Sequence, residues 1–318
     1  MRLCRGLDRP IGLLDVTSHI SHKRDTAWEL DSLPVMTVAV LGGAGMLGQA
    51  LVATLDGRGH EVRSLARADA DITREQDCRR VAGVEVVVNA AAFTRVDDAE
   101  AGEGEAFTVN AVGPALLARA CARSGARLVQ ISTDYVFDGS ATTPYAEDAP
   151  MRPRSAYGRT KAAGEWAVRA ELPSAYVVRT AWLYGPGGGS FASTILRLAG
   201  ERQTLSVVDD QRGQPTTTRD VARFVADLVD QDAPPGTYHA TSEGETTWFG
   251  FARALFEDAG LDPERVRPTD TASFPRPAPR PAYSVLGHDR SVAAGVDLLP
   301  PWRQALSETV RDLVGRNA

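Results

Sequence analysis

Two lysines, Lys23 and Lys161, stand against 33 arginines in the 318-residue chain, and the second follows a tyrosine by four positions in Tyr157-Gly-Arg-Thr-Lys161. Arginine is a wide fork that stays charged, whereas lysine is a compact point donor whose pKa responds to its surroundings. Positions i and i+4 of a helix share a face, so Tyr157 and Lys161 would offer a phenol and an ammonium to one pocket. Such a pair suits proton transfer to or from a carbonyl oxygen, because a nearby cation draws the tyrosine pKa down from about 10 toward working pH. Coincidence would place a lysine four residues after one of the seven tyrosines in roughly 4% of chains of this composition, so the pair needs context.

The context is a set of strand ends. Gly42-Gly-Ala-Gly-Met-Leu-Gly48 spaces Gly42, Gly45 and Gly48 as G-x-x-G-x-x-G between an apolar run at 38–41 and a helical segment. Glycines there let backbone amides, those of Met46 and Leu47 included, approach a pyrophosphate at the positive end of the helix. The Gly-Lys-Ser/Thr of a P-loop is absent. After a second strand, Arg67 stands where an arginine would pair with a 2′-phosphate and an acidic residue with a 2′-hydroxyl. That leans toward NADPH, with NADH the alternative; a merely solvated arginine is the other explanation. Asp71 and Ile72 would flank the adenine, or Asp71 would cap a helix starting near Thr73. After a third strand come Ala91, Ala92 and Phe93, whose neighbourhood of small side chains would admit a cofactor to the sheet edge or only pack the core. Thr133, at the end of a fourth, would hydrogen-bond a substrate carbonyl or the tyrosine, or close a turn.

The elements that must position these residues are also visible: apolar runs at 38–41, 61–65, 84–88, 128–131 and 175–179 alternate with segments of helical period, among them 99–110 and 113–123. The pattern predicts an α/β fold: a Rossmann-type doubly wound parallel sheet, with a smaller C-terminal substrate-binding lobe. The expected domains are a dinucleotide-binding domain at 36–184, to which 214–242 returns, and a substrate lobe over most of 185–318. Further helices are expected at 191–198, 219–228 and 248–259, and short strands at 204–208 and 236–240. Residues 1–35 read as a disordered extension or the product of an upstream start codon, with Met36 the natural start. The proline-rich stretch 274–281 reads as a rigid connector.

Hydrophobic content of 43%, charge of 24% and a net charge of -6 are those of an ordinary soluble protein and argue against nucleic-acid or anionic-membrane partners. Cys4, Cys78 and Cys121 form no CxxC framework, which fits a reducing cytoplasm and gives no metal site.

Taken together, the glycine loop, Ser132-Thr133 and Tyr157 with Lys161 resemble the extended short-chain dehydrogenase/reductase superfamily. More narrowly, Ser132-Thr-Asp-Tyr-Val-Phe-Asp-Gly139, Tyr157-Gly-Arg-Thr-Lys-Ala-Ala-Gly-Glu165, Arg179-Thr-Ala-Trp182, Asp210-Gln-Arg-Gly-Gln-Pro-Thr216 and Arg280-Pro-Ala-Tyr-Ser284 resemble the dTDP-4-dehydrorhamnose reductase family. The resemblance implies reduction of the C4 ketone of a dTDP-4-dehydro-6-deoxy sugar by a nicotinamide cofactor. It gives Tyr157 the role of proton donor, Lys161 the nicotinamide ribose, and Thr133 the carbonyl. Asp134 and Trp182 would border the sugar, although Trp182 suits a core equally. Asn110 matches the superfamily's helix asparagine near the lysine, and Gln211, Pro215 and Thr216 shape the lobe or a turn. A homodimer fits the resemblance, and some relatives hold Mg²⁺ at a dimer contact, for which no acidic cluster in this sequence speaks.

Overall fold

The computed structural model describes residues 34–314. The extension expected at residues 1–35 lies, up to residue 33, outside the described residues. In chain order, β1 (Thr37–Leu41), β2 (Glu61–Leu65), β3 (Val86–Asn89), β4 (Arg127–Thr133) and β5 (Tyr176–Thr180) come first. Four short strands follow, β6 (Leu183–Tyr184), β7 (Leu205–Val208), β8 (Arg212–Gly213) and β9 (Thr216–Thr217), before β10 (Gly236–His239) rejoins the main sheet beside β5. The six long strands are all parallel, in the order β10-β5-β4-β3-β1-β2. The order reverses at β1, whose neighbours are β2 on one side and β3 on the other, so the crevice beyond the carboxyl ends of β1 and β3 is where such sheets bind ligands.

Apolar residues on both faces of β1 explain why its sequence is a continuous apolar run rather than an alternation. Val38 and Val40 join a core with α1 (Met46–Gly57) and α8 (Thr218–Asp230), in one cluster with Leu51, Leu55 and Phe224. Ala39 and Leu41 join the opposite core with Leu117 and Cys121 of α5 (Gly113–Ser124) and Val168 of α6 (Ala156–Glu171). A third apolar cluster is built from the C-terminal half: Ile195 of α7 (Phe191–Glu201), Phe251 and Leu255 of α9 (Trp248–Asp258), and Leu306 and Val310 of the last helix, Trp302–Val314. Short ladders tie that half together: β6 with β9, β8 with Thr246–Thr247, and β7 with Val266–Thr269. Residues 34–314 belong to one compact unit.

Two local expectations differ from the structure. The helix expected near Thr73 begins only at Glu75, in α2 (Glu75–Cys78), because the Asp71 carboxylate closes a turn on Thr73 instead, accepting from its amide at 3.0 Å and its hydroxyl at 2.7 Å. The single helical segment at 99–110 is broken at Gly102 into α3 (Val96–Ala101) and α4 (Glu103–Phe107), followed by a π-helical turn at Thr108–Val112. Such turns occur most often at functional sites.

Helix α6 starts at a Ser155 cap, whose Oγ accepts the Gly158 amide at 3.0 Å. It packs close against the π-helical turn because Gly164 has no side chain: a Cβ there would run into the Asn110 carbonyl. Gly200 in α7 is the contrast, since a methyl group added there would meet nothing within 4 Å. Alanine normally stabilises a helix interior by about 0.5–1 kcal/mol over glycine. Gly200→Ala is therefore expected to raise the urea midpoint slightly, whereas Gly164→Ala should lower stability by about 1–3 kcal/mol because overpacking outweighs propensity.

Candidate active site

The loops at the carboxyl edge of the sheet enclose a cleft of about 860 Å³. Gly42, Gly45, Met46, Leu47 and Gly48 line it from the β1–α1 turn, and Arg67, Asp71 and Ile72 from beyond β2. Ala91, Ala92 and Phe93 line it from beyond β3, and Thr133, Asp134, Tyr157, Lys161 and Trp182 from the end of β4, from α6 and from beyond β5. One cleft thus holds every residue expected at either the cofactor or the sugar.

The glycine loop fits a dinucleotide on its own geometry. Gly42 adopts φ +74°, and a Cβ on it would lie 2.7 Å from the Ala91 amide nitrogen; one on Gly48 would strike the Gly42 carbonyl. Gly45 caps α1 with no side-chain hydrogen bond, so the first-turn amides remain available to an anion. Arg67 has a side chain 77% exposed and only a 3.4 Å contact to Asp71, leaving it able to reach a phosphate. Asp71 is held on Thr73, and that hydrogen bond is the main reason its carboxyl lies below the usual range.

At the other end, Tyr157 and Lys161 stand one turn apart on α6, both buried. Lys161 Nζ donates to the Ile131 carbonyl at 2.7 Å, two residues before Thr133 on β4, which leaves two of its three donors for a ligand. Burial draws its pKa down to about 8, against the opposing charge of Glu165. The expected pull of lysine on the tyrosine is not what the free site shows. Burial raises the Tyr157 pKa, the Thr133 hydroxyl opposes the rise and the Asp134 charge adds to it. The phenol stays protonated because the side chain is buried, and a neutral phenol is a proton donor. Tyr135, which the sequence pattern does not single out, meets the Tyr157 ring edge-to-face at 5.6 Å. Asp134 is 3% exposed and turns its Oδ1 to the Thr133 hydroxyl at 2.9 Å.

Trp182 has a left-handed φ of +46° and stacks on Trp248 with ring centroids 3.5 Å apart, so one indole face is covered while the residue still lines the cleft. Gly213 of the Asp210–Thr216 motif makes room for that indole. Asn110 makes its hydrogen bonds to Phe93 and to Thr160, the neighbour of Lys161 in the chain. Its Oδ1 accepts the Phe93 amide at 2.8 Å, its Nδ2 donates to the Phe93 carbonyl at 3.0 Å and to Thr160 Oγ1 at 3.1 Å, and it therefore clamps the backbone of a cleft residue. Gln211, Pro215 and Thr216 stand outside the cleft lining: Gln211 Nε2 donates to Thr271, 60 residues on, and Thr216 Oγ1 closes a local turn on the Gln214 carbonyl. Their neighbour Gln214 joins two segments, donating to the Ser242 carbonyl and accepting the Leu286 amide. Gly188 and Gly189, also missed, reach the cleft from the loop after β6. Among the described residues no group of three or more His, Cys, Asp or Glu could hold a metal ion.

The family model of the RmlD substrate binding domain matches residues 36–314. The chain belongs to this family. A dTDP-4-dehydrorhamnose reductase from Streptomyces griseus is 49% identical over 285 residues, covering 87% of this chain and 94% of that protein. A dTDP-4-keto-6-deoxy-D-glucose reductase from Streptomyces niveus is 47% identical over 273 residues, covering 85% and 94%. The crystal structure of a dTDP-4-dehydrorhamnose reductase from Bacillus anthracis in complex with NADP superposes with a TM-score of 0.84 at 34% identity, covering 88% of this chain and 100% of that one. The family shares with this chain the parallel Rossmann-type sheet described above.

Three outcomes follow for the site. Tyr157→Phe should cut turnover by about 10²–10⁴-fold while sparing cofactor affinity, the usual worth of a general acid. Lys161→Arg should lose rate to a similar degree, because a fork cannot replace a point donor buried against the Ile131 carbonyl. Cofactor titrations should show wild-type affinity falling as pH rises through about 8, where Lys161 loses its charge, and no such step in Lys161→Ala.

Proposed function

We propose that the chain catalyses the NADPH-dependent reduction of the C4 ketone of dTDP-4-dehydrorhamnose to give dTDP-L-rhamnose. The observation that carries the proposal is the convergence of Thr133, Tyr157 and Lys161 on one cleft with the glycine loop. The bound nicotinamide supplies the hydride. Tyr157, protonated by virtue of its burial, gives its proton to the alkoxide forming at C4. Lys161 holds the ribose hydroxyls, Thr133 orients the carbonyl, and Trp182, braced by Trp248, offers a flat apolar surface to the sugar. In this reading, residues 36–184 with 214–242 serve the cofactor and most of 185–318 the substrate. The reading also places the protein in the cytoplasm, without nucleic-acid or membrane partners, and as a homodimer; no described helix is long and apolar enough to cross a membrane.

A second reading keeps the chemistry and changes the sugar. The 47% identity to a dTDP-4-keto-6-deoxy-D-glucose reductase and the strong arginine bias favour a related 4-keto-6-deoxysugar of antibiotic biosynthesis, of the dihydrostreptose type. A non-catalytic role like that of the regulatory subunit of methionine adenosyltransferase is disfavoured by the intact Thr133, Tyr157 and Lys161.

Incubation with dTDP-4-dehydrorhamnose and NADPH should consume the cofactor absorbance at 1:1 stoichiometry with a product that NMR identifies as dTDP-L-rhamnose; a folded protein that oxidises no NADPH would end the reductase reading, and a faster reaction with another 4-keto sugar would select the second. Arg67→Glu should raise KM for NADPH by about tenfold to a hundredfold, the worth of a charge-assisted contact, and leave KM for NADH little changed.

A further inference from the structure

Asp134 carries the most unusual hydrogen-bond arrangement in the cleft. Its Oδ1 takes the only proton of the Thr133 hydroxyl, 2.9 Å away, while Oδ2 is buried with no well-formed hydrogen bond, the Ser284 hydroxyl acting on the carboxyl only as a nearby dipole. Thr133 Oγ1 in turn accepts the Tyr135 amide at 3.3 Å, and its hydroxyl stands near enough to the Tyr157 phenol to oppose the rise of that phenol's pKa. A hydroxyl has one proton and two lone pairs. While an ionised Asp134 holds that proton, Thr133 can only accept, and the lone pair not taken by the Tyr135 amide is open to the phenol's proton. Thr133 then has nothing to give a ketone oxygen, and Tyr157 is turned toward Thr133.

We propose that Asp134 is a positioning residue that sets, by its own protonation, whether Thr133 accepts from Tyr157 or donates to the substrate carbonyl. Protonated, the carboxyl donates to Thr133 Oγ1, and the Thr133 proton is released toward the ketone, so the oxygen that gains negative charge meets two donors, Thr133 and Tyr157. Ionised, it leaves at most Tyr157, which must first turn away from Thr133. A pair of donors aimed at the developing charge is the larger stabilisation. The local charges permit both states. Burial pushes the carboxyl up to about 6, opposed by the Ser284 and Thr133 hydroxyls and by the backbone of Asp134 and Tyr135. The titratable groups facing it, Tyr157 from α6 and Tyr135 from its own turn, are kept protonated by their own burial, and Lys161 across the cleft is drawn to Glu165.

The inference rests on the reductase reading for its kinetic arm and is independent of it in the other. With dTDP-4-dehydrorhamnose and NADPH, kcat in the reductive direction should rise about fivefold to tenfold as pH falls through about 6, the worth of one hydrogen bond, with KM little changed. That limb should be absent in Asp134→Asn and in Thr133→Val, present in Thr133→Ser, and no further altered when the first two changes are combined. A limb that survives in either Asp134→Asn or Thr133→Val belongs to another group and overturns the proposal. Without substrate, ¹³C NMR of the labelled Asp134 carboxyl should titrate about one unit higher in Thr133→Val than in the wild type, because the ionised form loses its donor. An unchanged titration overturns the proposal whether or not the sugar is turned over, whereas a shifted titration in a protein that oxidises no NADPH supports it and ends only the substrate assignment.

Discussion

A buried ion pair beneath the cleft decides where the reacting groups stand. Glu165 of α6 and Arg179 of β5 are almost wholly hidden, and the guanidinium grips the carboxylate with Nε at 2.9 Å and Nη2 at 2.8 Å. Taking both charges out of water is costly, and the pair is tolerable only if the remaining lone pairs and protons are satisfied. They are. Ser132 Oγ donates to Glu165 at 2.6 Å, and Arg179 Nη1 donates to the Glu147 carbonyl at 3.1 Å. His239 lies 3.3 Å from the same nitrogen, and its Nδ1 is 2.8 Å from the Gly287 carbonyl. Burial and the Arg179 charge draw the histidine pKa down to about 3, so the ring is neutral, gives its one proton to Gly287 and accepts from Arg179. Phe137 covers the guanidinium at 5.0 Å. Since Glu165 follows Lys161 by one turn and Ser132 precedes Thr133 by one residue, this network fixes the rotation and height of α6 over the end of β4. The distance from phenol to threonine is thus set from below, by a network centred on Glu165 and Arg179, which stand outside the cleft lining.

Burial of the individual side chains sets the protonation of the site. Burial moves a tyrosine and a carboxyl up and a lysine down, since each charged form is disfavoured. A phenol held neutral, an ammonium easily discharged and a carboxyl near neutrality are poised for proton exchange rather than for permanent ion pairs. In the proposed reaction, the lysine's influence on the phenol therefore belongs to the moment after proton delivery, when a phenolate exists to be stabilised. Before it, the nearest constraints on Lys161 are the Ile131 carbonyl and Glu165.

What was legible in the sequence was local. β2 at 61–65 and the glycine loop need only their own residues to be recognised, as do the Tyr157 and Lys161 pair, and their geometry is dictated by φ, helix period and strand ends. The misses depend on partners far along the chain. Nothing near Asn110 announces that it will clamp Phe93, 17 residues earlier, and nothing near Trp182 announces the stacking of Trp248 or the space made by Gly213. The break at Gly102 and the late start of α2 are boundary effects, in which one residue's backbone or one Asp71 hydrogen bond overrides periodicity. The Asp210–Thr216 motif suggested its Gln211, yet Gln214 is the residue that ties β11 (Ser242–Glu243) to the segment at Leu286, a choice that only long-range pairing makes.

Lys161 is the only lysine among the described residues, in a protein that meets every other need for positive charge there with arginine. Arg179 shows why the two cannot be exchanged. Where a planar fork is wanted, its donors are matched to a carboxylate, a carbonyl, a ring nitrogen and an aromatic face, and charge is never lost. At 161 the requirement is the reverse. The space beside the Ile131 carbonyl accepts one compact nitrogen, the pKa must fall with burial, and donors must be left over for a ligand. A guanidinium held there would keep its proton through the reaction and would bring five N–H donors in a wide fork to a place where the ammonium is bonded to the Ile131 carbonyl alone. Composition kept the ammonium where a titratable point donor was required, and the helix period placed the phenol beside it.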